Sequence, residues 1–149
     1  MEYLPTPFTA EQIRDASRGR RVRTITEAPD TEPVEQVTEF AEWETDGATM
    51  RSCVLDTDGQ PVGEPTESRA SWEDLRRHAL FPAADTLVAE EVIAHPLGEL
   101  ATLRYTLDAG DRQHVFWFAT AFPGMPVRYQ TFVDGQLLSA TTVVESLVG

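Results

Sequence analysis

Three histidines, one cysteine and a scatter of carboxylates are the residues of this chain whose chemistry could be put to use. His78, His95 and His114 stand far apart, with no i, i+4 or His-x-His pairing. Their spacing favours structural or exposed roles over a metal site, which they could form only by converging in space. Cys53 is the only cysteine. It sits in the strand-like run Met50–Leu55 and reads as a buried or half-buried structural thiol. Glu90 and Glu91 are neighbours on a predicted strand, so they point to opposite faces and cannot form a catalytic dyad together. Asp56-Thr57-Asp58-Gly59 opens like a calcium loop. It lacks the third ligand and the glutamate at position 12, and reads as a hairpin turn. There is no Gly-x-Ser-x-Gly elbow, Walker loop, dinucleotide-binding glycine pattern or His-Glu-x-x-His. The chain contains no lysine, which removes Schiff-base and P-loop chemistry. No catalytic residue, metal or cofactor is assigned.

Aromatic side chains carry the stronger signal. Phe116-Trp117-Phe118 places large rings on both faces of one strand, which requires something packed on each side. In Leu100–Leu107, Ala101, Leu103, Tyr105 and Leu107 form one apolar row, while Thr102, Arg104 and Thr106 face the other way. The candidate ligand-binding residues are Trp43, Trp72, Tyr105, His114, Phe116, Trp117, Phe118 and Tyr129. They would line the concave face of a curled sheet, because pockets at barrel mouths are built from aromatics and a few polar groups.

The elements that must position these residues are short. Thr9-Ala10-Glu11-Gln12 fits a capping box and starts a helix reaching about Ser17 and stopping at Gly19. Ser71 caps a second helix. Its first turn holds Glu73 and Asp74, Arg76, Arg77 and His78 lie toward its far end, and Pro82 ends it. Trp72, Leu75 and Ala79 share a face, making this helix the natural cover for one side of the aromatic strand. The rest reads as strands: Arg21–Thr26, which alternates with period two, then Val34–Thr45, Ala48–Leu55, Thr86–Ala94, Leu100–Leu107, Gln113–Ala119, Val127–Val133 and Leu137–Val148. Asp-Gly pairs at 46–47, 58–59 and 134–135 mark tight turns with positive φ. The five C-terminal strands are joined by turns too short for parallel crossovers. The expected fold is α+β, mainly β: a strongly curved antiparallel sheet of eight or nine strands, half-barrel or barrel-like, with two short helices. Residues 1–149 form a single domain.

Twenty-five acidic residues against twelve arginines give a formal charge of −13. That balance disfavours nucleic acids and anionic membrane surfaces as partners. Eight acids between Glu27 and Asp46, following five arginines between Arg14 and Arg23, read as a solvated edge or as a bipolar docking surface. No apolar run is long enough for a membrane helix. The N-terminal Met-Glu-Tyr-Leu-Pro-Thr-Pro has neither a basic nor an apolar region, so a cytoplasmic location is expected.

Glu90-Glu91-Val92-Ile93, Pro96-Leu97-Gly98, the Tyr105 strand, Phe116-Trp117-Phe118-Ala119 and Pro123-Gly124-Met125-Pro126-Val127 together resemble a group of bacterial proteins. That group is similar to the periplasmic lipoprotein-carrier (LolA/LolB-like) half-barrels. The resemblance covers roughly residues 86–147. It implies an incomplete antiparallel barrel with helices closing a hydrophobic cavity that takes acyl chains. The leading expectation is a non-enzymatic binding module for an apolar small molecule, a lipid or a partner segment. One alternative is an assembly protein, a homodimer joined through an edge strand. The other is a small enzyme using His114, Arg104, Arg128 or a carboxylate, His114 sharing a strand face with Arg112, Phe116 and Phe118.

Overall fold

The computed structural model describes residues 1–148. Two helices and nine strands follow one another as α1 (Ala10–Ala16), β1 (Arg20–Glu27), β2 (Val34–Ala41), β3 (Gly47–Leu55), β4 (Pro61–Ser71), α2 (Trp72–Arg77), β5 (Thr86–His95), β6 (Gly98–Ala109), β7 (Arg112–Ala119), β8 (Arg128–Val133) and β9 (Gln136–Val148). A single 3₁₀ turn, Ala83–Asp85, leads into β5.

All nine strands belong to one antiparallel sheet in the order β4-β3-β2-β1-β9-β8-β7-β6-β5. It is built from two meanders. Strands β1 to β4 step outward to one edge, β5 to β9 step inward from the other, and β1 pairs with β9 along the seam. Because β4 and β5 do not meet, the sheet is an open, curved half-barrel. Register shifts at Arg23/Thr24, Ser52/Val54 and Thr131/Phe132 mark irregularities of the kind that bend strands. The bend is large. Phe40 on β2 and Phe118 on β7 are four strand spacings apart, about 19 Å across a flat sheet at ~4.8 Å per strand. Both nevertheless line one cavity.

Each helix begins where its sequence signal places it. Thr9 Oγ1 accepts from the Gln12 amide at 3.1 Å, and the Gln12 side chain accepts from the Thr9 amide at 2.9 Å. Ser71 Oγ accepts from the Asp74 amide at 3.0 Å, but α2 closes at Arg77, well before Pro82. Pro82 instead bridges to Tyr3, and Leu4 donates to the Phe81 carbonyl at 2.9 Å. The N-terminal segment is thus pinned beside the end of α2.

Strand pairing sorts the side chains into two layers. Leu103 faces Phe118, Tyr105 faces Phe116 and Leu107 faces His114 on the helix-covered face. The main core lies there, with Phe8 and Ile13 from the N-terminal region, Trp72 and Phe81 from the α2 region, and Val22, Phe40, Ala48 and Val143 from the sheet. On the outer face Arg104 pairs with Trp117 and Thr106 with Val115. A smaller cluster forms there from Ile93, Leu100, Val115, Trp117, Ala119 and Val127, under Leu97 and Phe122.

Four expectations change. Strand β4 carries the weakest alternation of the nine and is exposed along most of its length, so period-two reading passes it over. Strand β2 stops at Ala41, because Glu42 takes a positive φ of 45°. The Asp46-Gly47 pair is not the tight turn: Gly47 opens β3 and lacks a positive φ. Glycine is needed there because a Cβ would lie 2.3 Å from the Ala70 carbonyl oxygen on β4. At Asp134-Gly135 the expected turn does form, with φ of 50° and 79°. Finally, acids and arginines of the first strands are interleaved and do not form two poles. Arg21 stands opposite Glu39, Glu39 opposite Arg51 and Arg51 opposite Glu67 across four strands. Arg51 Nε reaches Glu67 at 3.0 Å, and Arg23 reaches Glu35 at 3.5 Å.

Candidate functional site

The space between the helices and the concave face is incompletely filled. A cavity of about 240 Å³ lies there. Ile13 of α1 bounds it together with Leu75, His78 and Ala79 of the α2 region. Phe40 and Met50 come from β2 and β3, Phe116 and Phe118 from β7, and Gly124, Met125 and Pro126 from the β7–β8 loop. The lining is apolar apart from the exposed His78 at the helix terminus and backbone groups of the loop. It exceeds the ~150 Å³ apolar cavity that admits benzene.

An aromatic stack runs from this cavity along the face. Phe81 packs 4.9 Å from both Tyr105 and Phe116, ring centre to ring centre. Phe116 lies parallel to Tyr129 at 4.6 Å. The Tyr129 hydroxyl and the Thr131 hydroxyl each lie 3.1 Å from His114 Nδ1 and from one another. Beyond them the face becomes polar, with Thr26 paired to Thr141 at 2.9 Å and Thr38 to Ser52 at 3.0 Å. The concave surface thus grades from an apolar end under the helices to a hydroxyl-lined end.

Of the eight residues proposed from sequence, Phe116 and Phe118 line the cavity, and Tyr105, Tyr129 and His114 extend the same face. Tyr105 lies on that face against Phe81, its hydroxyl 3.4 Å from the Pro5 carbonyl and its phenol pKa pushed up by burial. Trp72 and Trp43 lie elsewhere in the core. Trp72 stacks on Phe40 at 6.5 Å and packs against Trp43 at 6.2 Å. Their indole N–H groups donate to the Glu44 and Arg14 carbonyls, and Arg18 lies over the Trp43 ring. Both brace the helices against the β2–β3 connection. Trp117 projects from the opposite face, under Arg128, because its neighbours Phe116 and Phe118 take the concave side. Covering of Phe116 and Phe118 falls partly to Phe81, outside the helix, where the sequence pointed to the Trp72 face.

The lining residues absent from the sequence-derived set are Ile13, Phe40, Met50, Leu75, His78, Ala79 and the loop residues 124–126. Leu75 and Ala79 share one helix face by their spacing, but nothing local in Phe40 or Met50 says that β2 and β3 curl over to meet β7.

Behind the loop wall sits Arg20. It is 3% exposed. Its Nε donates to Ser146 Oγ at 3.1 Å, and its Nη1 donates to the Pro123 carbonyl at 2.8 Å. Its Nη2 is buried and finds no partner among the described residues. Burial lowers its pKa from the ordinary arginine value.

No family model matches this chain, and no curated protein matches it. Among solved structures it is similar to a Bacteroides fragilis protein described as exported and as having a YmcC-like fold. The two are 10% identical, with a TM-score of 0.47, over 87% of this chain and 96% of the other.

Proposed function

We propose that this protein is a non-enzymatic binding module that holds an apolar ligand between its helices and the concave face of its sheet. The observation that carries the reading is the cavity of about 240 Å³ walled by Phe40, Met50, Phe116, Phe118, Leu75 and Met125. A well-packed core of this size would ordinarily hold no such void, since interiors approach the density of organic crystals. The likeness of residues 86–147 to lipoprotein-carrier half-barrels supports an acyl chain as the class of occupant.

Filling the cavity is the direct test. Ala79→Leu adds three carbons at its wall. The variant should keep or raise its melting temperature while losing displacement of a fluorescent acyl probe by at least about tenfold in affinity, a loss of ~1.4 kcal/mol. A variant that binds the probe as the wild type does would overturn the reading.

A second reading, two copies joined through β5, has its own observation. That edge strand leaves Leu87 77% and Val92 64% exposed and contains no proline.

A further inference from the structure

We infer that the occupant of this cavity is an amphiphile with an anionic head, a carboxylate on an apolar chain, whose counter-charge is Arg20; this rests on the cavity reading above. The unusual feature is a buried guanidinium that, among the described residues, has only neutral hydrogen-bond partners. Its two hydrogen bonds go to a serine hydroxyl and a backbone carbonyl, leaving Nη2 without one among the described residues. A buried cation is costly where, as among the described residues here, neither a counter-ion nor a full set of acceptors replaces its hydration.

Gly124 is what links this charge to the cavity. Gly124 forms part of the cavity wall. A Cβ built on it would lie 3.1 Å from Arg20 Nη1. Any other residue would therefore insert a side chain against the guanidinium, and its φ of 132° also favours glycine. The bare backbone leaves Arg20 Nη1 beside the glycine at the cavity's loop end. A head group lodged against Gly124 would sit in low dielectric beside a fixed positive charge, where charge-assisted pairing is strong. The apolar tail would then run toward Phe116, Phe118 and Met50 at the opposite walls.

Of the basic side chains described near the cavity, Arg20 is the buried one. His78 is exposed at the end of α2, and the arginines flanking Trp117, Arg104 and Arg128, lie on the outer face. A neutral alcohol of the same chain length would fill the cavity equally well but leave Nη2 as it is.

Octanoate and octanol, titrated by calorimetry into the full chain, separate the possibilities. Octanoate should bind at least about tenfold more tightly than octanol, and Arg20→Gln should erase that preference, the two ligands then binding with equal affinity. Arg20→Lys should restore part of the preference. Equal affinities in the wild type would overturn the role of Arg20 and leave the cavity reading standing, whereas binding of neither ligand would overturn both. Because Arg20 also anchors the β7–β8 loop, the Gln variant can fail to fold. A measurement on the wild type covers that outcome: octanoate carrying ¹³C at its carboxyl should titrate at lower pH when bound than when free. A bound carboxyl titrating at or above its free value overturns the proposal.

Discussion

Gly47 shows how one position can be required for a reason other than backbone freedom. Its neighbours on β4 leave no room for a side chain, since a Cβ would meet the Ala70 oxygen at 2.3 Å and the Ser71 Cα at 3.0 Å. Gly47→Ala must push β3 from β4 beside the α2 cap. A loss of about 1–3 kcal/mol is expected, the range for forced overpacking, read from urea denaturation. His95 is the residue whose protonation the fold opposes. Its Nε2–H donates to the Val127 carbonyl at 2.9 Å, and its Nδ1 accepts from the Leu97 amide at 3.1 Å. One partner can only accept and the other only donate, so the ring is held neutral with its proton on Nε2. Desolvation lowers its pKa first, Arg128 lowers it further, and the Val127 bond offsets part of the shift. The unfolded chain, with its histidine near 6.5, therefore binds more protons in the interval below that value. The His95 contribution is complete above about pH 6.5 and is lost as pH falls through the lower folded value. Denaturation profiles between pH 7.5 and about 5 should slope less in His95→Gln than in the wild type. Equal slopes would remove His95 as the cause.

At the scale of elements, the two sheet edges are protected unequally. Strand β4 carries Pro61, Pro65 and Gly63 with a φ of 72°, which spoil it as a template for further pairing. Strand β5 runs ten residues without proline or a described partner on its outer side, and Val88 is exposed on it along with Leu87 and Val92. If two copies join through β5, light scattering should show a concentration-dependent dimer that Val92→Lys returns to monomer. A wild-type monomer at high concentration would exclude the assembly reading. The contrast also explains what the sequence revealed of these elements. Both helix starts were legible because caps are local: Thr9 with Gln12, and Ser71 with Asp74. Strand β5 was legible from its own residues, whereas β4 was not. An edge strand exposed on both faces has no buried side to impose alternation, and its place is fixed by hydrogen bonds to β3.

For the whole molecule, the sheet is two local meanders and one long-range seam, and that division separates what sequence fixes from what it leaves open. Alternation, turn chemistry and short connections determine a mainly antiparallel fold with two capped helices, because each depends on residues a few positions apart. They also place Phe116 and Phe118 together on one face, with Trp117 opposite. Pairing of β1 with β9, however, joins residues such as Val22 and Ser146 from opposite ends of the chain. The curl that this closure permits brings Phe40 and Met50 over Phe118 and leaves a cavity between them. It also buries Arg20 between Ser146 and Pro123, more than a hundred residues away in sequence. Side-chain type and period set which residues prefer the interior. Which of them touch, and what space remains among them, depends on sheet curvature and on contacts remote in sequence. No local pattern encodes those, so the tertiary structure alone places a buried charge behind an apolar cavity.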